Sequence, residues 1–164
     1  MKTILLIRHA KAEPDNPSLK DFDRPLAERG KKDASVMAQR LISRKINPEV
    51  FISSPAKRAK STALLMAREL GYPEERILWK PELYHGGIAI HLDLISRIED
   101  KFEVAALFSH NPGISMFADS LTPYEIENIP TCGIFMVKAH AGSWIRFQAA
   151  EKEMVFFEFP KMET

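Results

Sequence analysis

The feature that most constrains this chain is a recurring order of elements: a short apolar run, a polar break, then a stretch with helical periodicity. Residues 4–7 (Ile-Leu-Leu-Ile), 50–52 (Val-Phe-Ile) and 104–108 (Val-Ala-Ala-Leu-Phe) are such runs. A strand covered on both faces needs no polar alternation, so continuous apolar runs mark the buried strands of a parallel sheet. Between them, Ala34, Met37, Ala38, Leu41 and Ile42 recur at helical spacing, as do Ala59, Ala63, Met66, Ala67 and Leu70, with Gly71 as a stop. Ser53-Ser54-Pro55 opens the second helix with proline in its first turn. Leu92, Ile95 and Ile98 mark a third helix, and Ser109-His110-Asn111-Pro112 leads into a fourth that ends near Leu121. Further strands are expected at 76–79, 133–137, 144–147 and 154–159. Strands alternating with helices predict one three-layer α/β/α domain over residues 1–164, with a mostly parallel sheet.

Charge narrows the partners. The 23 basic and 22 acidic side chains leave a formal net charge of +1, so nothing draws the whole molecule to nucleic acid or to a membrane surface. Positive potential that matters must be local. No apolar run approaches the ~20 residues needed to span a bilayer. The N-terminal apolar stretch is too short for a signal peptide and runs at once into Arg8-His9-Ala10-Lys11, so it reads as a strand and the expected location is the cytoplasm. The one cysteine, Cys132, excludes an internal disulfide and reads as a packed, inert thiol.

In an open α/β sheet, ligands bind in the crevice beyond the carboxyl ends of the strands. Three of the expected strands end there in polar residues. The first ends in Arg8-His9, the second leads to Arg58 early in a helix, and the fourth ends in Ser109-His110-Asn111. Each element has a bland reading when taken alone. Arg8-His9 could simply leave a strand into solvent, Arg58 could belong to the solvated face Lys57-Arg58-Ala59-Lys60, and His110 could be a satisfied histidine at a strand end. The topology brings two histidines and two arginines to one crevice, and that convergence is the informative fact. Of the remaining histidines, His91 and His140 read as surface residues and His85 as a groove-rim residue, while Trp79 and Trp144 read as packing.

Together these residues resemble the histidine phosphatase, or phosphoglycerate mutase-like, superfamily, and within it the small SixA-like phosphohistidine phosphatases. Ile7-Arg8-His9-Ala10-Lys11 is similar to the family's Arg-His-Gly or Arg-His-Ala signature, with Ala10 where Gly is commoner. Asp23-Arg24-Pro25-Leu26 with Arg29-Gly30 resembles Asp-x-x-Arg-Pro-Leu-x-x-Arg-Gly, with the aspartate at a different spacing. Residues 53–63 are similar to Ser-Ser-Pro-x-x-Arg-Ala-x-x-Thr-Ala, Pro81-Glu82-Leu83 falls where the family places an acidic residue, and Ser109-His110-Asn111-Pro112-Gly113 is like its second-histidine motif.

The resemblance implies a phosphoglycerate mutase-like fold and a phosphatase in which His9 is the nucleophile. Arg8, Arg58 and His110 would bind the phosphoryl oxygens, and Glu82, or else Asp23, would supply a proton to the leaving atom. Guanidinium suits the task as a rigid, permanently charged fork. No cofactor or metal is implied, and no ligand cluster has metal-binding spacing. The segments 81–90 and 122–131 are short, so an open groove is expected, suited to a phosphoprotein such as a histidine-phosphorylated domain. A broad phosphomonoesterase on small phosphate esters would use the same machinery. A non-catalytic module binding phosphoproteins is the reading from another class.

Overall fold

The apolar runs form the middle of a six-stranded sheet. A computed structural model, which describes residues 1–161, contains strands β1 (Lys2–Arg8), β2 (Val50–Ser53), β3 (Leu78–Trp79), β4 (Val104–Ser109), β5 (Ile134–Ala139) and β6 (Lys152–Glu158). Four α-helices alternate with them: α1 (Glu28–Ser43), α2 (Lys57–Leu70), α3 (Ile88–Ser96) and α4 (Gly113–Leu121). The strand order is β3-β2-β4-β1-β5-β6. The first four in that order pair parallel, while β5 runs antiparallel to β1 and β6 antiparallel to β5.

Alternation along β1 explains the three layers. Successive strand residues point to opposite faces. Ile4 and Leu6 therefore join a core with α3 and α4 residues such as Leu94, Ile95 and Phe117, and Leu5 and Ile7 join another with Met37, Leu41 and Met66 of α1 and α2. Both faces of the central strands are dry, which is why those runs carry no polar residue.

Three expectations need correction. Residues 144–147 are not a strand. Trp144–Arg146 is a single 3₁₀ turn, held by Trp144 N–H on Asp100 Oδ1 (2.9 Å) and Trp144 Nε1 on the Phe102 carbonyl (2.7 Å). Trp144 and Phe147, three apart, are both buried while Ile145 is exposed, a spacing that a turn satisfies and a strand cannot. Helix α2 begins after Pro55 rather than with it, because Ala56 is still extended and its N–H donates to the Ser54 hydroxyl (3.2 Å). At 76–79 only Leu78–Trp79 pairs, as a short edge strand after a 3₁₀ turn.

The register places the chemistry. Arg8 of β1 stands opposite Ser109 of β4, and Ser53 of β2 opposite Phe108. His9, Ser54 and His110 are therefore the first residues beyond three adjacent strand ends.

Candidate active site

His9 leaves β1 with its backbone fixed: its N–H donates to the Ser109 carbonyl at 3.1 Å, and the Cys132 N–H donates to the Arg8 and His9 carbonyls. The next residue is anchored from the other side, because Ala10 N–H donates to Thr62 Oγ1 (2.9 Å), whose own hydroxyl donates to the Arg58 carbonyl (2.8 Å). One hydroxyl thus links the loop after His9 to the helix that carries Arg58. Gly30 allows α1 to close on this loop, since a Cβ there would lie 2.1 Å from the Lys11 carbonyl oxygen.

The His9 ring is 7% exposed, and its Nδ1 lies 2.8 Å from the Ala10 carbonyl. A carbonyl only accepts, so Nδ1 carries the proton and Nε2 keeps the lone pair. Burial lowers the His9 pKa to about 4; the Ala10 hydrogen bond opposes that shift, and Arg58, Arg8 and Arg24 add to it. Desolvation is thus the first cause of its neutrality and the surrounding positive charge the lesser one. A neutral imidazole near pH 7 keeps a free lone pair, which a nucleophilic nitrogen needs.

Three cationic or donor groups surround it. Arg8 is anchored through Nη1 to the Ile129 carbonyl (3.0 Å). Arg58, 6% exposed, is held through Nη1 by the Asp21 carbonyl (2.8 Å) and through Nη2 by Asp21 Oδ2 (3.0 Å). The His110 ring centroid lies 5.2 Å from that of His9, and burial, with His9 and Arg58 beside it, lowers its pKa to about 3. The Nε of Arg8, the Nε of Arg58 and Nδ1 of His110 are buried and have no partner among the described residues. Buried N–H groups are almost always satisfied. Arg8 and Arg58, whose charges both bear on the His9 ring, thus each hold one Nε–H donor in reserve.

Sequence reasoning missed Asp21. Its carboxylate also accepts from the Tyr84 hydroxyl and lies 3.3 Å from Arg24 Nε. The Tyr84 hydrogen bond is the largest cause of its lowered pKa, with Arg58 and Arg24 adding to it. Asp21, not Asp23, stands three residues before Arg24 and so completes the Asp-x-x-Arg-Pro-Leu spacing. Asp23 is exposed in the 3₁₀ turn Asp21–Asp23. With Asp21 on Arg58 and the Tyr84 ring 5.4 Å from that of His110, the four site residues are more enclosed than short flanking segments alone suggest. Glu82 is exposed in a 3₁₀ turn, Pro81–Leu83, whose Leu83 is buried.

Two other histidines differ in placement. His91 is not a surface residue: it is 0% exposed, with Nδ1 2.7 Å from the Gly87 carbonyl and Nε2 2.8 Å from Ser109 Oγ, and burial lowers its pKa. It ties α3 to the end of β4 beside His110. His85 is exposed and stacks on Tyr84, with centroids 4.0 Å apart. Cys132 is fully buried, and burial raises its thiol pKa, as an inert thiol requires. Among the described residues, no group of three or more His, Cys, Asp or Glu side chains is placed to hold a metal ion. No helix among them is long and apolar enough to cross a membrane.

Comparisons with known proteins agree with this fold. Residues 4–83 match the family model of the histidine phosphatase superfamily (branch 1). An uncharacterized chloroplastic protein of Arabidopsis thaliana is 30% identical over 151 residues, covering 87% of this chain and 69% of that protein. The protein histidine phosphatase SixA, solved with tungstate, superposes with a TM-score of 0.82 at 21% identity, covering 96% of this chain and 97% of that one. A mycobacterial glucosyl-3-phosphoglycerate phosphatase superposes with a TM-score of 0.70 at 15% identity, covering 94% and 97%. At these identities the two structures speak for the fold.

Proposed function

The chain belongs to the histidine phosphatase superfamily, and we propose that it is a metal-independent phosphatase acting on phosphohistidine in a phosphoprotein through a covalent intermediate on His9. The observation that carries this reading is the His9 tautomer: Nδ1–H is committed to the Ala10 carbonyl, which leaves the Nε2 lone pair among Arg8, Arg58 and His110.

His9 Nε2 attacks phosphorus in line as the bond to the leaving atom breaks, and the phosphoryl group moves to His9. Arg8, Arg58 and His110 bind the equatorial oxygens, where charge spreads during transfer. Water then attacks phosphorus, the P–N bond to His9 breaks, and inorganic phosphate leaves. A phosphohistidine leaving nitrogen can already carry its proton, so this substrate needs no strong acid from the enzyme. For an oxygen ester, Glu82 is the candidate donor, exposed on the turn that precedes Tyr84.

The phosphoprotein reading is supported by the absence of a long insertion in segments 81–90 and 122–131. A single free cysteine and a net charge of only +1 suit the cytoplasm. Small phosphate esters are the second reading, favoured by a cleft of about 180 Å³ beside His110, lined by His85, Asn111, Gly113 and Met116, large enough for a small leaving group. Phosphate release in EDTA, from a phosphohistidine-bearing protein and a panel of monoesters, separates them. Preference for the phosphoprotein, lost in His9→Ala, is the expected result. Faster turnover of small esters would favour the second reading. Phosphoprotein binding without His9-dependent release would leave a binding module instead.

A further inference from the structure

Among the described residues, the His110 ring is hydrogen-bonded through one nitrogen alone. Its Nε2 lies 2.7 Å from Ser54 Oγ, while Nδ1 is buried and has no partner among the described residues. The ring is neutral near pH 7, so one nitrogen carries a proton and the other a lone pair. Which is which decides whether His110 donates to a phosphoryl oxygen or turns a lone pair toward it. We infer that Ser54 is the positioning residue that makes this choice: its hydroxyl donates to Nε2 and thereby fixes the proton on Nδ1, the nitrogen left to meet the substrate.

The argument is one of satisfaction. Ser54 is fully buried, and its oxygen already accepts the Ala56 N–H at 3.2 Å. Its single hydroxyl proton has one acceptor among its hydrogen-bond partners, His110 Nε2. The adjacent hydroxyl, Ser53 Oγ–H, is spent on the Ser54 carbonyl (2.9 Å). If Nε2 were the donor, the Ser54 proton would be buried without an acceptor. That unsatisfied hydroxyl disfavours the tautomer. With the proton on Nδ1 instead, His110 adds an N–H donor for an anion to those of Arg8 and Arg58. The position is rigid enough to enforce the choice, because Ser54 N–H donates to the Phe108 carbonyl (3.1 Å), which pins the end of β2 to β4 two residues before His110.

The inference rests on the reading of His110 as a phosphate clamp, and its test separates the two. In the ¹⁵N-labelled full chain near pH 7, long-range ¹H–¹⁵N correlation should show a pyridine-like Nε2 and a pyrrole-like Nδ1 for His110. Ser54→Ala should shift the ring toward a mixture of tautomers and weaken binding of inorganic phosphate. Turnover should fall on the order of 10- to 100-fold, short of the roughly 100- to 1000-fold that follows complete loss of an oxyanion donor. Ser54→Thr, which keeps the hydroxyl, should restore the Nδ1–H tautomer. A protonated Nε2 in the wild-type protein would overturn the inference, even if Ser54→Ala did not fold. So would a Ser54→Ala protein with the wild-type tautomer, or one with an altered tautomer and unchanged phosphate binding and rate. If the wild-type chain released no phosphate from any substrate, the proposed function would fail. The tautomer and phosphate-affinity measurements would still decide the role of Ser54.

Discussion

Acid should destabilise this protein through its own active site. His9 and His110 titrate at about 4 and about 3 in the folded chain, against an ordinary value near 6.5 in the unfolded one. As pH falls below 6.5 the unfolded chain takes up two protons that the folded chain refuses. Stability is therefore lost from pH 6.5 downward, and the loss levels off only near pH 4 for His9 and pH 3 for His110. The slope is about 1.4 kcal/mol per pH unit for each group. Between pH 6.5 and about pH 5 that amounts to about 2 kcal/mol per histidine, or about 4 together, against a total stability on the order of 5–15 kcal/mol. His91, also buried with its pKa lowered, adds to the loss below pH 6.5, and Asp21, whose pKa is lowered as well, acts in the same direction at lower pH. Urea unfolding followed by circular dichroism at pH 7 and at pH 5 measures the effect. Wild type should lose several kcal/mol, and His110→Asn should lose about 2 kcal/mol less across the same interval. Equal stability of wild type at the two pH values, or an unchanged pH dependence in His110→Asn, would show that burial does not hold these rings neutral.

The other predictions concern single residues. Arg58→Ala removes a buried donor to the phosphoryl group and should lower turnover about 100- to 1000-fold in a phosphate-release assay, with the fold intact by circular dichroism. Glu82→Gln should leave phosphohistidine hydrolysis nearly unchanged while slowing monoesters increasingly as the leaving-group pKa rises; a flat dependence would remove Glu82 as proton donor. Gly113→Ala would put a Cβ 1.9 Å from the Gly86 carbonyl oxygen and 3.2 Å from His91 Cε1. Forced backbone shifts of that kind cost about 1–3 kcal/mol, read as a lower urea midpoint.

How much of this was legible in sequence depends on how locally each feature is encoded. His9 and His110 follow directly from apolar runs, so finding the strands located them, and Arg58 follows from the helix after β2. Asp21 was obscured by a nearer aspartate: Asp23 also precedes Arg24-Pro25-Leu26, although the Asp-x-x-Arg-Pro-Leu spacing itself falls on Asp21, the carboxylate that reaches Arg58. His91 gave no facing signal because α3 is apolar nearly all round, with Ile88, Ile90, Leu92, Leu94 and Ile95 on every side. Its ring is held by the carbonyl of Gly87, the cap one turn back, and by Ser109 on β4, eighteen residues on, a partner that no local pattern announces. The segment 144–147 failed for a similar reason, since its shape is dictated by the Asp100 carboxylate and the Phe102 carbonyl, more than 40 residues away. The Ser54 contact to His110 spans 56 residues and depends on the β2–β4 register, which no local pattern encodes.

The central claim is that His9 carries the phosphoryl group. Rapid quench of the protein with a phosphohistidine-bearing substrate, followed by mass spectrometry under conditions that preserve phosphoramidates, tests it most directly. The account predicts one phosphoryl group on the peptide containing His9, appearing and decaying at rates consistent with turnover, and absent in His9→Ala. Undiminished phosphate release with no label on His9, or with the label on another residue, would contradict it.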